Sequence, residues 1–155
     1  MKNILLPNGK FALVDDEDYD KLNQFKWYIS DGYAVRDVLP RGIKHQTIRM
    51  HRMIVNTPKG MDTDHINMDR LDNRRENLRV CNRSQNMLNT KAHSDNASGM
   101  KGVSWDKKKR KWRARIFINN REKWLGYFDQ IIDAAHAYDE AMLNRSSEFA
   151  RTNFS

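Results

Sequence analysis

The chain has 155 residues, 28 Lys+Arg against 20 Asp+Glu, a formal net charge of +8 and 39% hydrophobic residues. That length and composition suit small compact units with modest cores, and the single cysteine, Cys81, excludes a disulfide framework or a zinc knuckle. No run of about 18 apolar residues occurs and "MKNILLPNGK" lacks the apolar stretch of a signal peptide, so the expected location is cytoplasmic, with no membrane partner.

The opening "ILLPNGKFALVD" brackets Pro-Asn-Gly with apolar residues and predicts a hairpin. "DDEDYDKLNQFKW" places acids in a first helical turn, where carboxylates favour the helix N-terminus and serve capping and solvation. "WYISDGYAVRD" and "KHQTIRMHRMIV" read as two further strands, which makes residues 1–50 a small mixed α/β framing unit. "MDTDHI" reads as a strand, "NMDRLDNRREN" as a loop and "NLRVC" as a returning strand. "RSQNMLN" then reads as a helix begun by an Asn82/Gln85 capping box. Residues 90–97 have the polar character of a linker. Beyond them, β-rich runs separated by a basic turn and by "NN" predict three antiparallel strands. "QIIDAAHAYDEAMLNR", with Asp129 as N-cap, predicts a helix whose Ala134, Ala135, Ala137, Tyr138, Ala141 and Met142 form a small-residue face for the sheet.

A basic balance serves nucleic acid, an anionic membrane or solubility, and its distribution narrows the choice. Residues 1–50 carry 8 Lys+Arg against 7 Asp+Glu, residues 51–95 carry 8 against 6, and residues 96–155 carry 12 against 7. The C-terminal third holds most of the excess.

Residues 62–89 concentrate the chemistry. Hydrolysing a phosphodiester needs an activated water, a cation against the charge on the phosphate and leaving oxygen, and groups that hold the backbone. Asp64 offers a hard anionic oxygen for Mg²⁺, and His65 is a base near neutral pH. Asn86, 22 positions after Asp64 and beside Asn89 at helical spacing, offers an amide oxygen facing the hairpin. Arg70, Arg74, Arg75, Arg79 and Arg83 surround the pair with phosphate-pairing forks. His51 either contacts the scissile phosphate or caps a strand. His45, His93 and His136 read as surface or packing residues. An EF-hand reading of Asp62, Asp64, Asp69 and Asp72 fails, because Ile66 stands where a ligand is needed and the turn glycine is missing.

The stretch "HRMIVNTPKGMDTDHINMDRLDNRRENLRVCNRSQN" resembles the HNH nuclease motif in its phage homing-endonuclease form, over residues 51–89. The resemblance implies a ββα-metal hairpin and helix, with Asp64 and Asn86 as ligands of one divalent ion and His65 as general base. It implies that Asn77, the middle residue of the motif, braces the loop that aims His65. With Asn86 rather than His at the last position, Mg²⁺ or Mn²⁺ is expected rather than zinc.

In "KWRARIFI", a period of two sets Trp112, Ala114, Ile116 and Ile118 on one face, and Arg113, Arg115 and Phe117 on the other. With Lys101, Trp105, the "KKKRK" turn, Lys123 and Trp124, the outer face is expected to mix cations and aromatics for phosphates and bases. "GVSW", "KWRARI", "WLGYFD", "AAHAYDEA" and "TNF" resemble, in order, the Apetala2/ethylene-response-factor type of DNA-binding domain over residues 98–154. That resemblance implies a sheet in the major groove, with Lys101, Ser104, Arg113, Arg115, Trp124 and Tyr127 at or near contact positions. Ser104 stands where plant members usually have arginine and Arg115 where they often have an acid, so the target sequence does not carry over.

The expected fold is α+β: a framing unit at 1–50, a ββα-metal nuclease motif at 51–89, a linker at 90–97, and a three-stranded sheet packed on one helix at 98–155. The expected function is metal-dependent cleavage of double-stranded DNA by a phage- or bacterium-encoded protein, with Arg74, Arg75, Arg79 and Arg83 on the backbone and no obligate protein partner. The alternatives are a non-catalytic DNA-binding regulator with a decayed nuclease motif, an RNA-directed nuclease and a basic membrane-surface protein. The last lacks an amphipathic cationic helix.

Overall fold

The computed structural model describes residues 1–38, 46–90, 92, 96–118, 121–146 and 148–154, with Ser146 described by its backbone alone. His45, His93, the "NN" turn at 119–120 and half of the 90–97 linker lie outside the described residues. The chain divides into two compact units, Met1–Asn86 and Met87–Ser155. The fold is α+β, built on antiparallel sheets.

In the first unit, β1 (Lys2–Leu5) and β2 (Phe11–Val14) form the expected hairpin, and α1 (Asp16–Asn23) follows. "WYISDGYAVRD" is two strands rather than one, β3 (Tyr28–Ser30) and β4 (Tyr33–Val38). The chain reverses at Asp31 and Gly32, both with positive φ (51° and 81°), the backbone that a two-residue hairpin turn demands. β5 (Gln46–Arg49) completes the order β3-β4-β5. "KHQTIRMHRMIV" is strand only in its first half, because Met50–Ile54 forms the short helix α2. Met50, His51 and Ile54 are buried there, a helical spacing that breaks the alternation a strand would need. His51 therefore sits on a helix and caps no strand.

β6 (Asp62–His65) and β7 (Leu78–Cys81) form the second hairpin, and α3 (Arg83–Asn86) follows. The capping box forms reciprocally: Gln85 N–H donates to Asn82 Oδ1 at 2.9 Å, and Asn82 N–H donates to Gln85 Oε1 at 2.8 Å. The helix stops at Asn86, so Asn89 is not its neighbour on a helical face.

Ile4, Val14, Leu22, Met50, Ile54 and Leu78 belong to one core that draws on both sides of residue 50. The long loop between β6 and β7 is tied to β2 by backbone: Leu13 N–H donates to Leu71 O at 2.9 Å and Asn73 N–H donates to Leu13 O at 2.8 Å. Asp15, the N-cap residue of α1, makes no side-chain cap bond, and it and Asp18 reach the loop instead. Asp15 accepts the Arg75 N–H at 2.7 Å, and Asp18 accepts the Arg75 guanidinium through two bonds of 2.8 Å.

In the second unit, β8 (Val103–Asp106), β9 (Lys111–Ile118) and β10 (Arg121–Phe128) pair in the order β10-β9-β8, and α4 (Ile131–Ser146) packs on the sheet. Ala134 and Ala135 are fully buried against Val103 and Ala114, so the small-residue face brings helix and sheet close together. Gly102 (φ 71°) is where this approach is tightest: a Cβ there would meet the Tyr138 ring at 2.0 Å. The C-terminal Asn153 joins the ends of the unit, its Oδ1 accepting the Lys101 N–H at 2.6 Å and its own N–H donating to Asp139 at 2.8 Å.

Candidate active site and nucleic-acid interface

Successive strand residues project to opposite faces, so the β6–β7 register sorts the site. Asp62 and Asp64 share one face with their partners Cys81 and Arg79, whereas Thr63 and His65 share the other with Val80 and Leu78. α3 crosses the acidic face, where Asn86 Nδ2 donates to Asp62 Oδ2 at 3.1 Å. Asp64 is buried, and the Arg79 guanidinium reaches its Oδ2 from Nε (2.9 Å) and Nη2 (2.7 Å). Burial, then the nearby Asp64 and Asp62 carboxylates, push the Cys81 thiol up to about 11 and leave it inert as a nucleophile.

These donors fit a hard divalent cation. Two carboxylates of one strand face and an amide from the helix across it offer oxygen ligands, and in this structure the Arg79 guanidinium neutralises the Asp64 carboxylate. Among the described residues no group of three or more His, Cys, Asp or Glu gathers to hold a metal. An ion here would therefore complete its shell with water and substrate oxygens.

On the other face, His65 is 5% exposed and His51 3%, their rings 4.9 Å apart and edge to face. Tyr33 closes the cluster, its ring 5.0 Å from His51 and 5.9 Å from His65. Asn73 fixes the tautomer of His65. Its Nδ2 donates to Leu71 O at 3.1 Å, which turns Oδ1 towards the imidazole, so His65 Nε2–H donates to it at 3.3 Å and Nδ1 is the basic nitrogen. Burial lowers the His65 pKa against the opposing pull of Asn73, Asp64, Asp69 and Asp72. Burial, then the charges of His65, Arg49 and Arg52, pushes His51 down to about 3. Both rings are neutral at pH 7, the state a proton acceptor requires.

Asn77 is buried and spans the loop. Its Oδ1 accepts the Asn67 N–H at 2.9 Å and its Nδ2 donates to Asp72 O at 2.7 Å. Asn67 Nδ2 in turn donates to Asp72 Oδ2 at 2.8 Å. Asn73, Asp72 and Tyr33 were missed in the sequence. The first two lie inside the "DNRREN" run, but nothing local marks Tyr33.

The arginines differ from expectation. Arg74 forks onto Asp72 with bonds of 2.8 and 2.7 Å and also reaches Glu76, and Arg75 holds Asp18 and Glu17. Arg79 holds Asp64. These three are braces, each with its own carboxylate: Asp72 of the loop for Arg74, Asp18 of α1 for Arg75 and Asp64 of β6 for Arg79. Arg83 alone of the four is largely exposed, at 82%, with Asp62 3.6 Å away.

In the second unit the register sets Ser104, Arg113 and Tyr127 across one row of the outer face, with Arg115 and Trp124 paired beside them. Arg113 donates to Ser104 Oγ at 3.3 and 3.4 Å, and Tyr127 Oη donates to Asp106 at 3.0 Å. Three expected contacts fall elsewhere. Trp105 pairs with Trp112 and so shares the helix-facing side, at its edge. Lys123 pairs with the buried Ile116 and lines a groove beside Ala137 and Ala141 of α4. The Lys101 ammonium donates to Leu88 O (3.2 Å) and Arg151 O (2.7 Å), and burial pushes its pKa down to about 8.

Residues 56–88 match the HNH endonuclease family and residues 98–147 match the AP2 domain. The two matches thus come in the order HNH endonuclease then AP2 domain, and Asp64, His65, Asn77 and Asn86 all fall in the first. An uncharacterized HNH endonuclease of Acanthamoeba polyphaga mimivirus is 27% identical over 146 residues, 94% of this chain and 75% of that protein. Protein 3.8 of Escherichia phage T7 is 35% identical over 65 residues, 42% of this chain, and the match spans about half, 54%, of that relative's length. No solved structure matches significantly. Among the described residues no helix is long and apolar enough to cross a membrane.

Proposed function

We propose that the chain is a metal-dependent endonuclease of the homing-endonuclease type that hydrolyses phosphodiester bonds in duplex DNA inside the cell, with the sheet of its second unit as the recognition surface. The observation that carries this reading is one hairpin with a buried histidine, His65, on one face and Asp64 and Asp62 on the other, where Asn86 of α3 bonds Asp62. His65 Nδ1 would take the proton of the attacking water while Asn73 holds the opposite edge of the ring. Asn77 would keep the loop closed behind it. Asp64 and Asn86, with Asp62 alongside, would hold one Mg²⁺ or Mn²⁺, which when bound supplies positive charge against the phosphate and the departing 3′ oxygen.

Cleavage of supercoiled plasmid, or of a randomised-site library, with Mg²⁺, Mn²⁺ or EDTA tests it. Wild type should nick or linearise DNA only with metal, and His65→Ala should lose about 10²- to 10⁴-fold in rate while still binding DNA. Cleavage by that variant at the wild-type rate would remove His65 from the role.

A second reading, a non-catalytic DNA-binding regulator, draws on one observation: Arg79 occupies the Asp64 carboxylate that catalysis needs. It predicts binding with no metal-dependent cutting by either protein on the library.

A further inference from the structure

A phosphodiester that reaches His65 brings negative charge with it, and cationic side chains near the ring are what can meet that charge. Arg74, Arg75 and Arg79 are held by carboxylates. Arg49 and Arg70 are arranged differently. Their guanidinium carbons lie 5.2 and 4.7 Å from the Tyr33 ring centroid, and that ring is the one packed on His51 and His65. Both arginines are exposed, and among the described residues neither has a carboxylate partner. Arg70 is fixed at one corner by Nη1, which donates to Asp31 O at 2.7 Å. A guanidinium lying over a ring keeps N–H donors at its edge, where they match phosphate oxygens in pairs.

A cavity of about 550 Å³ adjoins Arg49, lined also by Ser30, Asp31, Thr47 and Arg52. Among its described lining residues, Arg49 and Arg52 outweigh the one acid, Asp31. Tyr33 and Arg49 lie outside the matched nuclease segment, on the framing sheet.

We propose that Arg49 and Arg70, stacked on Tyr33, form a backbone-phosphate clamp that seats duplex DNA beside His65. The product of this seating rests on the nuclease reading, but the binding itself does not. The clamp explains why Arg49 of β5 and Arg70 of the β6–β7 loop meet over one tyrosine of β4 next to buried histidines, where stability alone would favour an apolar lid.

The test uses the full chain and a duplex of mixed sequence, reading the slope of log affinity against log salt by fluorescence anisotropy. Each phosphate contact contributes about 0.9 to that slope. Arg49→Gln should lower it by about one and Arg49→Gln/Arg70→Gln by about two, whereas Arg49→Lys/Arg70→Lys should keep it. Arg49→Gln leaves the Arg70 bond to Asp31 in place and so guards against misfolding, which a thermal melt checks. An unchanged slope in both Gln variants, with wild-type melts, overturns the clamp. If wild type also cuts DNA in that case, the nuclease reading survives without it. A lowered slope with no cutting by any protein keeps the clamp and sinks the nuclease reading. A slope lowered on structured RNA but not on duplex DNA overturns the DNA assignment.

Discussion

Asp64 and Arg79 are cross-strand partners in the β6–β7 ladder, and two guanidinium nitrogens converge on one carboxylate oxygen, Oδ2, at 2.9 and 2.7 Å. Both side chains are mostly buried, at 8% and 13% exposure. Breaking a buried pair from one side strands a charge and costs about 3 to 5 kcal/mol. Arg79→Met in EDTA should therefore lose about 3 kcal/mol in urea unfolding, and Asp64→Asn added to it should restore part of the loss. Mn²⁺ should raise the melting temperature of Arg79→Met more than that of wild type, because a cation then replaces the guanidinium. A loss below about 1 kcal/mol would show the pair to be dispensable.

Gly102 carries a prediction for the second unit. Its φ of 71° disfavours a side chain, and an added Cβ would lie 2.0 Å from Tyr138 and 2.6 Å from the Arg115 carbonyl. Gly102→Ala should cost more than about 3 kcal/mol, since a ring and a backbone must both yield. Amide exchange in β9 should accelerate at least 100-fold, while β6 and β7 amides remain protected.

The pH dependence of the first unit should carry the mark of His51. Its folded pKa is about 3, against about 6.5 for a free imidazole, so between those values the unfolded chain binds a proton that the fold excludes. Stability should then fall as pH drops from about 6.5 towards 3, at up to about 1.4 kcal/mol per pH unit from this group. His51→Phe should flatten that part of the curve in denaturant titrations. An identical acid slope in the variant would contradict the assignment.

The two faces of the C-terminal sheet should differ in their salt response. Arg113 lies on the outer row with Ser104 and Tyr127, whereas Lys123 lies on the helix side. Arg113→Gln should lower the slope of log affinity against log salt by about one, and Lys123→Gln should leave it unchanged. Equal slopes for the two variants would mean that DNA does not meet the outer face.

Local pattern made much of this protein legible. Alternation in "KWRARIFI" fixes which residues face α4, because strand side chains strictly alternate, and Ala114 and Ile116 are buried as that period requires. Asn82 and Gln85 announce α3 because a capping box is satisfied within four residues. The spacing of Asp64, His65, Asn77 and Asn86 is likewise a local signal, since one hairpin with its loop and one helical turn carry all four.

What lay beyond sequence depended on partners distant in the chain. "MHRMIV" became a helix because its buried side belongs to the core shared with β1, β2 and Leu78, and no short window holds that information. The fate of each arginine was equally hidden. Arg75 meets Asp18 57 positions away, and Arg70 meets the Asp31 carbonyl 39 positions away. Lys101 looked like a phosphate contact until the C-terminal segment brought the Arg151 carbonyl to its ammonium. The sequence by itself determined which residue types stand at the hairpin and which period each element follows, because those are short-range properties of the backbone. Tertiary structure alone decided which charges pair internally and which face outward, because an ion pair depends on distance in space, which chain order does not specify.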